Sequence, residues 1–367
     1  MKPSFLVHVD KWMTVPNGIG EFLFFIIRKV TVSKPTQVKK VLLIKLMGMG
    51  SLIKLTAVLQ KENINTEHII LCTFSHNQEI CEILGYKNTI YIDKSWSGLL
   101  LQSLLLPFKY TFNLVIDTER ASNSCSILRK YLAVVANSDS VYFDLKPDRM
   151  GARDSRFDIE GRSHTELFET LIPFLVKNKT VLELKETQEP KRKPQILVNI
   201  NASDYLIERR YPLAKFEEVI LKITTLFPGM KIFLTGAVTD FEYVDQLTTR
   251  LAQKSVTVTN TCGEWDLTRL ATELKQSNLF VTNDSGPMHL AVYLKTPTVV
   301  IWGPTHASYS GYEEFAWLKN VSLNMSCSPC FITSNSEMGE ACAHKISCMH
   351  DLSSDRVMAA VQELLGT

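Results

Sequence analysis

The feature that most constrains this chain is an alternation of short apolar runs with helical stretches that begins at residue 41, breaks once, and starts again. "KKVLLIKLMGMGSLIKLTAVLQ" reads as a buried strand (41–46), a glycine turn (47–51) and a helix (52–61). "HIILCTF" (68–74) and "TIYID" (89–93) are further strands, and a helix follows through 97–106. "FNLVID" (112–117) is a fourth strand, and a helix over 122–137 leads to "SVYFD". Strands alternating with helices imply parallel α/β architecture. "ETQEPKRKPQ" (186–195), polar, charged and carrying two prolines, reads as a linker. The alternation then resumes with strand 196–201, helix 212–227, strand 231–236, helix 240–252 and strand "VTVTN". Helix 266–276, strand "LFVTN", helix 287–294 and strand "TVVIWG" complete it.

At 367 residues the chain exceeds what one core usually organises. The expected division is a lead (1–40), a first domain (41–185), the linker (186–195) and a second domain (196–367). A hydrophobic content of 45% and a charged content of 21% fit a folded globular chain and exclude disorder. The net charge of +2 gives no support to a nucleic-acid partner. Its distribution is uneven: residues 1–180 carry 23 Lys and Arg against 17 Asp and Glu, and the remainder 17 against 21. The basic first half suggests an anionic partner, with a solvated surface as the alternative.

No secretory signal is visible near Met1. The leucine-rich uncharged run Ser95 to Phe108 is shorter than the ~18 residues that suggest a membrane span. "IGEFLFFIIRKV" (19–30), with Arg28, Lys29, Lys34, Lys39 and Lys40 in and after it, suits an anionic membrane surface; a buried helix or strand is the other reading.

Open parallel sheets bind ligands beyond the carboxyl ends of their strands. "LFVTNDSGPMHLAVYLKTPTVVIWGPT" (279–305) places Asn283 and Asp284 at such an end, and Pro287 suits the first helical turn that follows. Ser285 and Gly286 leave backbone N–H groups approachable at the helix mouth, a site matched by phosphate or diphosphate. His289, one turn in, can lend another donor. The alternative is an ordinary N-cap with a buried histidine.

This block resembles the signature of glycosyltransferase family 9, the lipopolysaccharide heptosyltransferase family. The resemblance extends over nearly the whole chain after residue 40. It takes in "IKLMGMGSLIK", "FNLVIDTER", "HTELF", "NINASDYLIERRYP", "IFLTGA", "TCGEWDLTRLATEL" and "NMSCSPC". It implies a GT-B fold: two Rossmann-like, doubly wound domains facing across a cleft, the first binding the acceptor and the second the nucleotide-sugar donor. It also implies inverting transfer without a metal ion and with no required cofactor. Asp284, Ser285, Gly286 and His289 would line the donor side, and Arg209, with Arg210 as the near alternative, would meet donor phosphate. Gly236 would bring the strand-end backbone close to the nucleotide, and Asp240 or Glu242 would accept from ribose hydroxyls. Fixed amides and a guanidinium stabilise the charge that builds on a departing nucleoside diphosphate.

The sequence departs from the family at one point. Inverting transfer needs a base for the acceptor hydroxyl, and the family's candidate is an aspartate in a pattern like Leu-Gly-Asp. Here the acceptor loop, with Gly48 and Gly50, reads Met49-Gly50-Ser51. A serine hydroxyl is no such base near neutral pH. Three readings stay open: Asp117 or, next, Glu119 serves; Ser51 positions an acceptor activated differently; or the protein binds a nucleotide sugar with little turnover.

Cys327, Cys330, Cys342 and Cys348 crowd the tail, with His344 and His350 interleaved, a pattern with the character of a structural zinc site. Cys72, Cys81, Cys125 and Cys262 lie in or near apolar runs and read as core.

Three functions compete. The first is transfer of a sugar, from ADP-heptose by resemblance, to a lipid-linked anionic glycan of a lipopolysaccharide core. Such an enzyme would be cytoplasmic, peripheral on the inner face of the inner membrane, and "WSGLLLQSLLLPFKY" would touch lipid or form a buried helix. The second is a catalytically silent nucleotide-sugar-binding relative. The third is a nucleotide-cofactor oxidoreductase, for which "GMGSLI" lacks the third glycine of G-x-G-x-x-G.

Overall fold

The computed structural model describes residues 41–62, 64, 69–93, 95, 112–119, 125, 128–129, 131–132, 138–144, 154–158, 163–176, 191–202, 204–330, 342 and 344–366. The chain divides into two compact units, Met1–Lys185 and Glu186–Thr367. The lead (1–40), the helix expected over 97–106 and the "WSGLLLQSLLLPFKY" segment lie outside the described residues.

In the first unit the strands are β1 (Val41–Ile44), β2 (Ile69–Phe74), β3 (Thr89–Ile92), β4 (Leu114–Asp117), β5 (Asp139–Asp144) and β6 (Asp154–Asp158). They form one parallel sheet in the order β3-β2-β1-β4-β5-β6. The second unit has β7 (Lys193–Asn199), β8 (Lys231–Leu234), β9 (Thr259–Asn260), β10 (Ser277–Asn283), β11 (Thr298–Ile301) and β12 (Leu318–Val321). Its sheet is also parallel, in the order β12-β11-β10-β7-β8-β9. Numbered from its own first strand, each unit therefore reads 3-2-1-4-5-6, the Rossmann order, with the winding reversing between its first and fourth strands.

Central strands of such a sheet are covered on both faces, so their side chains are apolar without alternation. Val41–Ile44 are all buried, as are residues 279–281 and Thr298–Ile301. Against the second sheet packs a helix, Leu213–Leu226, whose Phe216, Val219, Ile220 and Ile223 recur at helical spacing and are fully buried. Each such side chain contributes roughly 1.5–3 kcal/mol by leaving water. The Ser354–Leu365 helix adds Val357 and Val361 to the same core. Ser353 caps its start by accepting the Arg356 N–H, and Gly366 ends it at φ 78.

The structure corrects several expected boundaries. The helix after β1 starts at Met49, not residue 52, because Gly48 at φ 79 makes the turn in one residue. A Cβ at Gly48 would also lie 2.8 Å from Ser51 Oγ. Strand β7 reaches back into the expected linker to Lys193, since buried Gln195 donates to Glu273 Oε2 at 2.8 Å and to Ser277 Oγ at 3.1 Å. "VTVTN" shrinks to Thr259–Asn260: β9 is a sheet edge with two paired residues, and Val256 and Val258 pack on the core from the preceding loop. Strands β6 and β12 and the C-terminal helix carry no expectation from the sequence.

Candidate functional site

The crevice beyond the carboxyl ends of the strands, where the winding reverses, is the ligand position of an open α/β sheet. In the second unit it lies between β7 and β10, and polar residues buried in an otherwise apolar core occupy it. Asn199 Nδ2 donates to Ser285 Oγ at 3.0 Å and to Thr282 Oγ1 at 3.2 Å. Asn283 Nδ2 donates to Ile200 O at 2.9 Å, and its Oδ1 accepts the Tyr211 N–H at 3.1 Å. These bonds tie the end of β10 to the loop after β7. They also turn the Ser285 hydroxyl into the protein, so no side chain caps the Gly286–Tyr293 helix. Its first-turn amides are left for a ligand.

Asp284 sits at that mouth. Arg209, from the turn over Asp204–Arg209, donates through Nη1 to Asp284 Oδ2 at 3.2 Å, with the two side chains 16% and 5% exposed. Arg210 points elsewhere: its Nη2 donates to Ala202 O at 3.0 Å and its guanidinium lies 4.8 Å from the Tyr243 ring centre. The structure thus brings Arg209, and not Arg210, to Asp284. His289 is buried with Nδ1 3.1 Å from Tyr312 Oη, their rings edge to face. Burial pushes the Tyr312 hydroxyl well above its ordinary range, so it keeps its proton. When Tyr312 donates to Nδ1, the imidazole carries its proton on Nε2.

Gly236 follows β8, where a Cβ would fall 2.6 Å from Asn201 Nδ2 and 2.7 Å from Cys262 Sγ. Asp240 accepts the Ala237 N–H at 2.9 Å, while Glu242 is exposed on the next helix. The structure brings neither carboxylate to Arg209. Three buried oxygens at the carboxyl ends of β7, β8 and β11, namely Asn201 Oδ1, Thr235 Oγ1 and Thr305 Oγ1, have no hydrogen-bond partner among the described residues. Buried polar atoms are costly to leave unpaired, so a polar ligand or water is their natural complement.

In the first unit the reversal falls between β1 and β4, and the residues there are charged. Lys45 Nζ donates to Glu119 Oε1 at 2.8 Å with both side chains buried, and the same oxygen accepts the Met47 N–H at 2.7 Å. Asp117 Oδ1 accepts the Glu119 N–H at 3.0 Å. Burial pushes the Asp117 carboxyl up to about 7; the Glu119 N–H and the cations Arg129 and Lys45 pull it down, and the Glu119 carboxylate pushes it up. Arg129 is fully buried, donates to Ser140 Oγ at 2.9 Å and lies 3.7 Å from the Tyr142 ring centre. Ser51 stands in the first turn of its helix, its hydroxyl donating back to Gly48 O (2.9 Å) or Met47 O (3.2 Å). Gly48 makes the turn, and Gly50 lies within the helix.

Lys45, Asn199, Asn201 and Thr282 were not among the residues singled out in the sequence. Lys45 carries the one visible signal, a lysine closing an apolar strand, because such a lysine must find a counter-charge at the strand's end. Cys72, Cys81, Cys125 and Cys262 are buried, as read from their apolar neighbours.

Two Rossmann-ordered units, one with an uncapped helix at its reversal point and the other with a buried charged centre there, have the architecture of the GT-B class. The model of "Glycosyltransferase family 9 (heptosyltransferase)" matches residues 139–341, more than half of the chain, and the chain belongs to that family. It is 26% identical over 196 residues to lipooligosaccharide heptosyltransferase 2 of Campylobacter jejuni serotype O:6, a match covering 53% of this chain and 57% of that one. The chain spans about half the length of the curated relatives it matches. Among solved structures, a family 9 glycosyltransferase of Veillonella parvula superposes with a TM-score of 0.65 at 20% identity, covering 91% of this chain and 99% of that one. The E. coli heptosyltransferase WaaC with ADP gives 0.61 at 14%, covering 89% and 99%. These likenesses establish the GT-B fold. The family match begins after Ser51, Asp117 and Glu119.

Proposed function

We propose that this chain is an inverting glycosyltransferase that needs no metal for its chemistry and moves heptose from ADP-heptose to a lipid-linked, anionic glycan of the lipopolysaccharide core. The observation that carries the proposal is the Arg209–Asp284 pair at the uncapped mouth of the Gly286–Tyr293 helix. A guanidinium and a helix N-terminus both favour anions, and together they suit a diphosphate. As the glycosyl–phosphate bond breaks, the leaving ADP gains negative charge, and these fixed groups meet it without reorganising. His289 Nε2, set by Tyr312, is the further donor. The relative named with ADP makes adenosine the first nucleoside to try.

In the first unit Asp117 is the base that takes the acceptor hydroxyl proton. Glu119 suits the task less, since Lys45 and the Met47 amide engage its carboxylate. An ionised Asp117 near neutral pH has the basicity that proton removal asks for. Ser51, tied to the turn's own carbonyls, shapes the acceptor loop. The acceptor would reach the enzyme at the cytoplasmic face of the inner membrane. Among the described residues no helix is long and apolar enough to cross a membrane.

Thermal-shift titration of the full chain with ADP-heptose, ADP, a UDP-sugar and NAD tests the class. ADP-heptose and ADP are expected to raise the melting temperature; stabilisation by NAD alone would defeat the proposal. Turnover unchanged by EDTA and a product of inverted anomeric configuration are the expected reaction results.

A further inference from the structure

Cys327, Cys330, Cys342 and Cys348, expected as a structural zinc site, do not converge on one: among the described residues no three His, Cys, Asp or Glu side chains could hold a metal ion. A different group of residues bears on the donor helix. The segment that carries Tyr312 to His289 is fastened to the edge strand β12 through one side chain, Asn320. Trp302, 1% exposed at the end of β11, donates through Nε1 to Asn320 Oδ1 at 2.7 Å. Asn320 Nδ2 in turn donates to Tyr312 O at 3.1 Å, and the Asn320 N–H donates to Glu314 Oε1 at 2.9 Å. An indole N–H can only donate and a backbone carbonyl can only accept, so the amide has one orientation that serves both partners. Gly311 lets the segment lie on the indole: a Cβ there would fall 2.5 Å from Trp302 Cζ2 and 2.8 Å from Ala307 Cα. Met288 and Val292, on the same helix as His289, pack with Trp302 and Leu318 in a small core that Tyr312 joins.

We propose that Asn320 is a positioning residue for the donor site: it holds Tyr312 against His289 Nδ1, so that the imidazole carries its N–H on Nε2, the nitrogen left for donor phosphate. The inference rests on the reading of the Gly286–Tyr293 helix mouth as the diphosphate site. The Tyr312 hydroxyl, 3.1 Å from Nδ1, sets the tautomer only while it stays there. A phenol is a better donor than acceptor and a bare imidazole nitrogen is a good acceptor, so the bond runs from Oη to Nδ1. Asn320 makes that distance a property of the sheet. β12 pairs with β11, Asn320 opposite Val300, and β11 pairs with β10, which leads to Asp284 and the helix. Tyr312 and His289 are thereby held from one rigid frame. Without the amide, the Trp302 indole N–H is left buried with no acceptor and Tyr312 loses its hold on β12. A histidine protonated on Nδ1 would then turn the Nε2 lone pair toward a phosphate oxygen and repel what an N–H attracts.

Two measurements on the full chain test it. With isotope-labelled histidine and no ligand, long-range proton–nitrogen correlation spectra read the His289 tautomer, its signal assigned by its loss in His289→Gln. The Nε2–H form is expected in the wild type, and the Nδ1–H form would overturn the inference. Asn320→Asp keeps an acceptor for the Trp302 indole and removes the donor to Tyr312 O. It should give mixed tautomers at His289 and weaken ADP by about tenfold, as loss of one hydrogen bond to a charged group does. Added to His289→Gln it should cost nothing further, whereas simple loosening of the fold would weaken ADP in both backgrounds. Should Asn320→Asp fail to fold, Trp302→Phe, which frees the same amide to turn, must give the same results. A wild type that does not bind ADP defeats the donor-site reading. A wild type that binds ADP, with a folded variant that binds it equally well or loses as much in both backgrounds, defeats this inference.

Discussion

The two units share one strand order, yet their reversal points are furnished in opposite ways. Between β1 and β4 the buried groups are acids and a base: Lys45, Glu119 and Asp117. Between β7 and β10 they are mostly neutral amides and hydroxyls, with Arg209 and Asp284 as the charged pair at the rim. Neutral dipoles can be buried and fully bonded at little cost, and they leave the helix mouth positive for an anion. A carboxylate buried beside a second carboxylate is instead pushed toward neutrality and made basic enough to remove a proton. The fold supplies two equivalent crevices, and the side chains at the strand ends decide which chemistry each one can serve.

Several substitutions test this division, and the largest effect belongs to the first unit. Asp117→Asn should lower turnover by roughly 10²–10⁴-fold, the usual worth of a general base, while leaving the ADP-induced thermal shift intact. Unchanged turnover would remove Asp117 as the base. Arg209→Ala should do the reverse, weakening ADP by roughly 10–100-fold because a charged hydrogen-bonding partner is lost and Asp284 stays buried without it. Arg210→Ala, measured by the same titration, should leave ADP affinity nearly untouched; equal losses would erase the distinction between the two arginines.

Asp117 should also make stability and turnover depend on pH. The Asp117 carboxyl stands at about 7 in the fold against an ordinary 3.8. The folded chain therefore holds this proton where the unfolded chain has released it. The stabilisation from this group is complete below about pH 4 and is lost as pH rises through about 7. Denaturation midpoints taken across that range should fall with pH by a larger margin in the wild type than in Asp117→Asn. Turnover should rise over the same interval as the base ionises. Gly236→Ala should cost roughly 1–3 kcal/mol, since its Cβ would overlap Asn201 and Cys262. Smallest of all, Ser51→Ala should cost under about 1 kcal/mol, and Ser51→Asp should bring no gain in turnover. A faster Ser51→Asp enzyme would restore the acceptor loop as the seat of the base.

The parallel α/β architecture was legible because central strands must be apolar on both faces, as in "VLLI" and "LFVT". Edge strands were less so. "DSRFD" became β6 although it is mostly polar, while "VTVTN" kept only two paired residues; at an edge, pairing depends on the neighbour more than on composition. The donor-side block was readable because Asp284, Ser285, Gly286 and Pro287 are contiguous and announce a helix mouth. Arg209 could be narrowed only to a pair with Arg210 until the fold turned Arg210 toward Tyr243. The amide network of Asn199, Asn201 and Asn283 was hidden because each asparagine is unremarkable in its own strand end. Its partners lie some eighty residues away, a distance in sequence that only folding removes.

The most direct measurement is a crystal structure of the full chain with ADP bound. The account predicts that the diphosphate rests on the first-turn amides of the Gly286–Tyr293 helix within hydrogen-bonding reach of Arg209. A nucleotide seated instead on the glycine turn at 48–50 would reverse the roles assigned to the two units and contradict the account.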